Sequence, residues 1–383
     1  MPVGAGQPVM RWFLLVLSGA FTGLGLLTIF RSPDWLSWSL SILAVQFGYL
    51  LALVPLVICL GCFYRPGSPP GLGWAVIAVS LIAFVLLVQP CFQAWQLGRR
   101  LPALLTASFG PQDVPGRPFG FASLFRPWPA AAPHTTLTYS GSLQLDYYPA
   151  LGRSHAPCVI VIHGGGWDSG DRGQIGSFNN GLAARGYAVA DISYRLAPAA
   201  VWPAQREDVA AAVAFVKAQA PVWGIDASRI VLFGRSAGGQ IAEAAGYELH
   251  DPAIRGVVAL YAPSDLIFAW KLGRPDDALN SPELLRRFLG GTPETAAAAF
   301  ESASALFHVD RRSPPTLMVH GTIDTLVWQR HSIRLAEKLT AAGVPNLLVA
   351  LPWATHALEL NPSGPSGQLA DYSIWWFLAS VCH

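Results

Sequence analysis

Only three charged residues, Arg31, Asp34 and Arg65, interrupt the chain between Trp12 and Gly98. They leave three charge-free runs, residues 12–30, 35–64 and 66–98, each long enough for the roughly 20 apolar residues that a bilayer-spanning helix needs. The first hundred residues are therefore expected to form an all-α transmembrane region, with spans near 12–30, 40–63 and 73–96. The first run exceeds the apolar core of a cleaved signal peptide and two more follow it, so a retained anchor is expected. Residues 65–71 are built of helix breakers and predict a tight turn. Trp12, Trp35, Trp38, Trp74 and Trp95 fall near the span ends, where interfacial aromatics collect. Pro55 should kink the second span. Gln46 and Gln89 are expected to hydrogen-bond between helices, and Gly19 and Gly23 form a GxxxG that permits close helix approach.

Charge argues against other classes of partner. The net charge is +2 and no long basic run occurs, so nothing points to nucleic acid. Charged residues make up 13% of the chain, against about 25% in an average soluble protein. Five cysteines, three of them in apolar runs, do not make a disulfide framework, and Cys59 and Cys62 form a CxxC with no second pair and no nearby His. Residues 99–134, rich in Pro, Gly and Phe, are expected as a connector, with a short helix over 101–109 lying on the membrane surface or an ordinary ordered linker as the two readings.

From Thr135 the texture changes. Short β-rich runs at 135–139, 143–148, 158–163, 188–194, 230–233, 257–261, 316–320 and 347–351 alternate with helical patterns near 177–185, 204–219, 237–246, 329–342 and 367–380. Most runs are continuously apolar, as in strands buried on both faces, so residues 135–383 are expected as an α/β domain with a mainly parallel sheet flanked by helices. Residues 264–313 interrupt the alternation and predict a lid-like insertion.

Four post-strand loops carry chemistry. The strand at 230–233 runs into Gly234-Arg235-Ser236-Ala237-Gly238-Gly239 and then a helix, a GxSxG in its strand–turn–helix setting, with Ser236 as candidate nucleophile. The strand at 158–162 ends in His163-Gly164-Gly165-Gly166-Trp167, where consecutive glycines let backbone N–H groups face one point. Gly165 and Gly166, with Ala237, are the candidate oxyanion donors. A phosphate cradle is the competing reading, but neither GxGxxG nor a following Lys-Ser/Thr is present. A serine needs a base, and the base an orienting carboxylate. Asp324 follows the strand at 316–320 and His356 follows the strand at 347–351. Of nine histidines, His356 alone lies downstream of Asp324 in such a loop. His331 falls in a predicted helix, His163 and His320 read as structural, and His134, His155, His250, His308 and His383 lack such a context.

These motifs, together with Ser193-Tyr194-Arg195-Leu196-Ala197-Pro198 and Gly170-Asp171-Arg172, resemble those of the hormone-sensitive-lipase-like esterases and of the acetyl- and feruloyl-esterase-like hydrolases. The resemblance covers about residues 135–380. It implies an α/β-hydrolase fold and a carboxylic ester hydrolase with Ser236, Asp324 and His356 as its triad, Gly165, Gly166 and Ala237 as its oxyanion hole, and no metal or organic cofactor. Asp208 matches an acidic family position and is expected to be structural. Where the lipase-like branch builds a lid from its N-terminus, this chain carries apolar spans, so acyl preference does not transfer. An arylformamidase-like amidase, an acyltransferase and an inactive membrane sensor remain as alternatives, and the oligomeric state is open. Arg11 and Arg65 fall on one face of the expected membrane, and Arg31, Arg99 and Arg100 on the other, which leans toward a cytoplasmic hydrolase domain. Two readings of the substrate's route stand: an apolar substrate arriving from the bilayer, with Phe109, Phe119, Phe121, Phe125 and Trp128 of the connector forming one wall of the pocket and Leu266, Ile267, Phe268 and Trp270 the other, or a substrate arriving from water with the connector only packed on the domain.

Overall fold

The computed structural model describes residues 7–63, 71–128 and 132–382. The expected turn at 65–71 falls, but for Gly71, outside these residues, as do Arg65 and His383. Among the described residues eight strands form one sheet in the order β1-β2-β4-β3-β5-β6-β7-β8. Their ranges are β1 Thr135–Ser140, β2 Leu143–Tyr148, β3 Ala156–Ile162, β4 Ala188–Ile192, β5 Ile225–Arg235, β6 Ile254–Leu260, β7 Thr316–Gly321 and β8 Asn346–Leu351. β2 is antiparallel to both β1 and β4, and all other pairs are parallel. This is the architecture of an α/β hydrolase, and every strand expected from the sequence is present.

The continuous apolar runs are buried on both faces. Cys158, Ile160 and Ile162 of β3 enter one core with Val209 and Val213, while Val159 and Val161 enter the other with Leu182, Leu369 and Phe377. The first core lies under α6 (Ala204–Trp223), α7 (Ala237–Glu248) and α11 (Arg330–Ala341), and the second under α5 (Gly176–Ala184) and α12 (Pro365–Val381). The insertion folds into three short helices, α8 (Leu266–Leu272), α9 (Ser281–Leu289) and α10 (Ala297–Ala303).

The apolar region comprises α1 (Gln7–Leu26), α2 (Trp35–Leu51), α3 (Leu53–Phe63) and α4 (Gly71–Phe109). Two of these helices are long and apolar enough to cross a membrane, and three spans result if α2 and α3 count as one, bent by 46°. The bend falls at Ala52, three residues before Pro55, whose ring cannot pack against the preceding turn of a straight helix. α1 ends at Leu26 rather than near residue 30, and α4 does not stop near 96. Its 39 residues extend about 58 Å at 1.5 Å per residue. The segment 101–109 is therefore the end of α4, not a separate surface helix. Leu101 and Leu105 are buried in the second core beside α12, with Val114, Phe119 and Leu124 of the connector. The apolar region and the hydrolase domain thus share one core.

Within the bundle, Ser18 and Ser80 hydroxyls lie 2.8 Å apart and Thr22 Oγ1 donates to the Val79 carbonyl at 3.2 Å. The close helix contacts are not at the GxxxG. A Cβ at Gly19 or Gly23 would meet no atom within 4 Å, whereas one at Gly48 would lie 2.6 Å from the Leu87 carbonyl oxygen. Gln46 does not bridge helices either. Its Nε2 donates to the Ala357 carbonyl at 2.6 Å, and its Oε1 accepts the Asn361 N–H at 2.9 Å. Gln89 makes no interhelical bridge among the described residues.

Candidate active site

β5 delivers Arg235, and the chain turns sharply at Ser236 (φ 52°, ψ −120°) before α7 begins at Ala237. Positive φ at a residue with a Cβ costs on the order of 1–3 kcal/mol and persists only where the surroundings enforce it. Here Ser236 N–H donates to the Leu260 carbonyl at 2.9 Å, and α7 is pressed against the end of β3. A Cβ on Gly238 would lie 2.3 Å from the carbonyl oxygens of both Ile162 and His163, so only glycine permits that approach.

The glycine loop after β3 runs beside this turn. A Cβ on Gly164 would lie 3.4 Å from Ser236 Cβ. The Gly164 N–H donates to Gln174 Oε1 at 2.8 Å, which commits it elsewhere and leaves Gly165 and Gly166 as the donors expected there. Both take positive φ, 120° and 58°. Trp167 anchors the loop, its Nε1 donating to Gln240 Oε1 at 2.8 Å and its ring stacking on Phe288 at 4.3 Å. His163 shapes the same loop: its Nδ1 sits 2.7 Å from the Gly164 carbonyl oxygen and its ring stacks on Tyr194.

Asp324 is fully buried beyond β7. Its Oδ1 accepts the N–H groups of Leu326 and Val327 at 2.9 and 3.0 Å, and its Oδ2 lies 2.8 Å from His356 Nδ1. His320 Nε2 stands 3.3 Å from the same oxygen. Burial pushes the carboxyl up, but His356 and His320 outweigh it and hold Asp324 below the usual carboxylate range. Asp310, the nearest carboxylate upstream of Asp324, pairs with Arg312 at 2.8 Å rather than with a histidine of the site. Asp208 accepts the Arg195 N–H and Nε, both at 2.8 Å, which fits the structural part expected of it.

Ser236, Ala237, Gly165, Gly166 and His356 line one cavity of about 920 Å³, with Asp324 behind His356. His331 also reaches the cavity, and burial pushes it down to about 3, so it is neutral near pH 7. The expected walls differ from the observed ones. None of the connector aromatics lines the cavity; Phe119 packs into the second core. From the insertion the lining includes Ala269, Leu272, Leu279, Leu284 and Leu285 together with the polar Arg274, Asp277 and Ser281, while Leu266 is buried in the core and Trp270 packs on Phe300. A further wall comes from residues 31–38, the end of the link after α1 and the first turn of α2, through Arg31, Ser32, Pro33, Trp35 and Trp38, next to residues 325–328, Ala357 and Leu360.

Sequence reading also missed a buried support. Arg235, just before the nucleophile position, pairs through Nε with Glu359 Oε1 at 2.9 Å, and Tyr261 Oη donates to the same oxygen at 2.7 Å. Glu359 lies in the loop of His356, so this pair ties the serine turn to the histidine loop. The signal available was a charged residue inside an otherwise apolar GxSxG and a single carboxylate three residues after the histidine.

The BD-FAE family profile matches residues 145–339, just over half of the chain. The chain is 28% identical over 351 residues to the probable carboxylic ester hydrolase LipM of Mycobacterium tuberculosis, covering 80% of this chain and 78% of that protein. Residues 135–383 alone amount to less than that share, so the likeness to LipM reaches into the apolar region. Esterase LipC of the same organism is 30% identical over 241 residues, and the match spans 59% of each chain. Among solved structures, a truncated carbohydrate esterase from gut microbiota superimposes with a TM-score of 0.56 at 24% identity, over 66% of this chain and 99% of that one, a likeness of fold. With its sheet, its serine turn and its glycine loop in the corresponding order, the chain belongs to the BD-FAE family of α/β hydrolases.

Proposed function

We propose that the chain is a membrane-anchored serine hydrolase that cleaves carboxylic esters. The observation that carries this reading is the His356–Asp324 pair: an imidazole opening on the cavity of Ser236, with its Nδ1 fixed at 2.8 Å by a carboxylate that two backbone N–H groups hold in turn. His356 Nε2 takes the proton of Ser236 Oγ as the oxygen attacks the ester carbonyl. The Oγ–acyl bond forms, and negative charge gathers on the former carbonyl oxygen, where the N–H groups of Gly165, Gly166 and Ala237 stabilise it. The C–O bond to the alcohol breaks, with His356 returning the proton to the leaving oxygen. Water then attacks the acyl-enzyme by the same route and releases the acid. Asp324 holds the imidazole tautomer and stabilises the imidazolium. The curated esterases to which the chain is similar support ester hydrolysis as the reaction class.

Anchoring rests on the apolar helices, two or three of which have the length and composition to span a bilayer. With three spans the amino terminus and the hydrolase domain lie on opposite faces, and the arginines near the 31–38 junction and at 99–100 lean toward a cytoplasmic domain. Protease digestion of spheroplasts tests the side: protection of the C-terminus is expected, and digestion there reverses the orientation.

The test of the reaction is covalent labelling by a fluorophosphonate. Wild-type protein should label and hydrolyse p-nitrophenyl acetate. Ser236→Ala should abolish labelling and lower turnover by about 10³-fold or more. Undiminished labelling of that variant overturns the assignment of the nucleophile.

A further inference from the structure

We propose that residues 31–38, the junction between the first two apolar helices, form the bilayer-facing wall of the catalytic cavity, and that the substrate is a lipid-borne carboxylic ester drawn from the membrane surface. This deepens the serine-esterase reading and rests on it.

The junction is docked on the hydrolase domain by specific contacts. Arg31 Nη2 donates to the Thr322 carbonyl at 3.3 Å, and its guanidinium lies 4.6 Å from the centre of the Trp328 ring. Ser32 N–H donates to Thr325 Oγ1 at 3.0 Å. Thr322 and Thr325 flank Asp324, so the junction rests on the loop that carries the acid. Asp34 then starts α2 with a capping box, accepting the Ser37 N–H at 2.9 Å, and this fixes the direction in which α2 leaves.

Beside this anchored segment the cavity carries exposed apolar side chains. Trp35, Trp328 and Leu360 line the cavity and are 54%, 42% and 39% exposed, and Leu36, next to Trp35, is 70% exposed. A soluble protein rarely leaves such a cluster uncovered around a pocket. This rim is continuous with the apolar flank of the bundle, because α1 ends and α2 begins at it. Where apolar helices end, a bilayer gives way to its headgroup layer, and Trp and Arg are the side chains favoured at that depth. The occupant that fits is therefore a lipid surface, with Trp35 and Trp328 at headgroup level and Arg31 between them. A cavity of about 920 Å³ lies at the upper end of small-ligand sites and accommodates a long acyl chain.

The experiment uses the full-length protein in phosphatidylcholine vesicles, with 4-methylumbelliferyl oleate in the bilayer and p-nitrophenyl acetate in the water, and fluorophosphonate labelling reports the folded, active fraction. Trp35→Glu and Leu36→Glu should lower the ratio of oleate to acetate kcat/KM per labelled site by about tenfold or more, and Trp35→Ala by less. Val222→Glu, at an 81% exposed position at the far end of the sheet, should leave both activities unchanged. An unaltered ratio in all three junction variants overturns the inference. So does wild-type protein that labels and hydrolyses the acetate but ignores the vesicle-borne ester, and that result leaves the esterase reading standing. Absence of labelling and of both activities in the wild type overturns the esterase reading itself.

Discussion

The cavity has two halves of different origin. One is made at the carboxyl ends of β3, β5, β7 and β8, where Gly165, Gly166, Ser236 and His356 emerge within a few residues of a strand, with Asp324 behind. The other is made by residues 31–38, which reach the site only because α2 docks on a loop some 300 residues further along the chain. In the first half each side chain is positioned by its own strand and turn, and the sheet register brings the strand ends together. In the second the Asp34 cap sets only the direction of α2, and the position comes from contacts distant in sequence, those of Arg31 and Ser32 with the loop of Asp324 among them. Gln46 and Asn361 hold it there, through paired hydrogen bonds of 2.9 and 3.0 Å. On the proposals made above, chemistry belongs to the sheet and access to the bundle, and substitutions should separate the two.

The largest effect should come from the strand-built half. Asp324→Asn leaves the shape of the loop but presents an amide to His356 Nδ1, so the imidazole loses its required tautomer. Turnover of a soluble short ester should fall by roughly 10³-fold or more, with KM little changed. Asp310→Asn should leave it unaltered, since Asp310 pairs with Arg312 away from His356. Steady-state kinetics of the two variants decide the matter, and the reverse ranking would break the assignment.

The buried pair Arg235–Glu359 joins two parts of the strand-built half, with side-chain exposure of only 1% and 5%. Removing one partner strands the other charge in the interior, at a cost of about 3–5 kcal/mol. Arg235→Met should lower the thermal midpoint strongly. Arg235→Met combined with Glu359→Gln should recover part of that loss, because no unpaired charge is left. A double variant no more stable than the single one would show that the pair does not hold the two loops together.

How much of this was legible follows the same division. Strands β3 to β8 were readable because parallel strands are mostly apolar on both faces, β1 and β2 as short β-rich runs before them, and the glycine loop, Ser236, Asp324 and His356 because each sits a short step beyond a strand. The second face of the domain was misjudged. Leu101 and Leu105 belong to an apolar run that looks the same in sequence whether it meets lipid or protein, and they meet α12. Gln46 was read as an interhelical polar group because its partners, Ala357 and Asn361, lie more than 300 positions away. Phe119 was expected in a wall of the pocket with Phe121 and Phe125, yet it packs into the second core with Leu124, while Phe121 and Phe125 stay exposed.

A milder test reaches the contact between the halves. Gln46→Leu removes two hydrogen bonds to the loop of His356, leaving the Asn361 N–H without its partner and the Ala357 carbonyl with the Leu360 N–H at 3.2 Å alone. The expected loss is about 1–3 kcal/mol of stability. Because the loop, not the nucleophile, is loosened, turnover should drop several-fold for the soluble ester and for the vesicle-borne ester alike. A loss confined to the vesicle-borne ester would instead assign Gln46 to access, and the division drawn above would have to move.

The smallest effect is again inside the strand-built half, and it depends on pH. Glu243 lies fully buried in α7, one turn beyond Gly239, where burial pushes its carboxyl up to about 8 and the Ser264 hydroxyl draws it only partly back. In the unfolded chain the same group titrates near 4.5. Between those two values the folded protein keeps a proton that the unfolded chain has released, so each rise in pH favours unfolding. Stability from this source is complete below the unfolded value, declines as pH rises toward about 8, and declines no further above it. Glu243→Gln replaces the neutral acid with a neutral amide of similar size and abolishes the titration. The variant and the wild type should melt within about 1–2 °C of each other at pH 5, and the variant should be more stable by several degrees at pH 8.5. A difference between the two that does not change with pH would mean that Glu243 is already ionised in the folded protein. In that case the base of the nucleophile helix would be a charged site in need of a cationic partner.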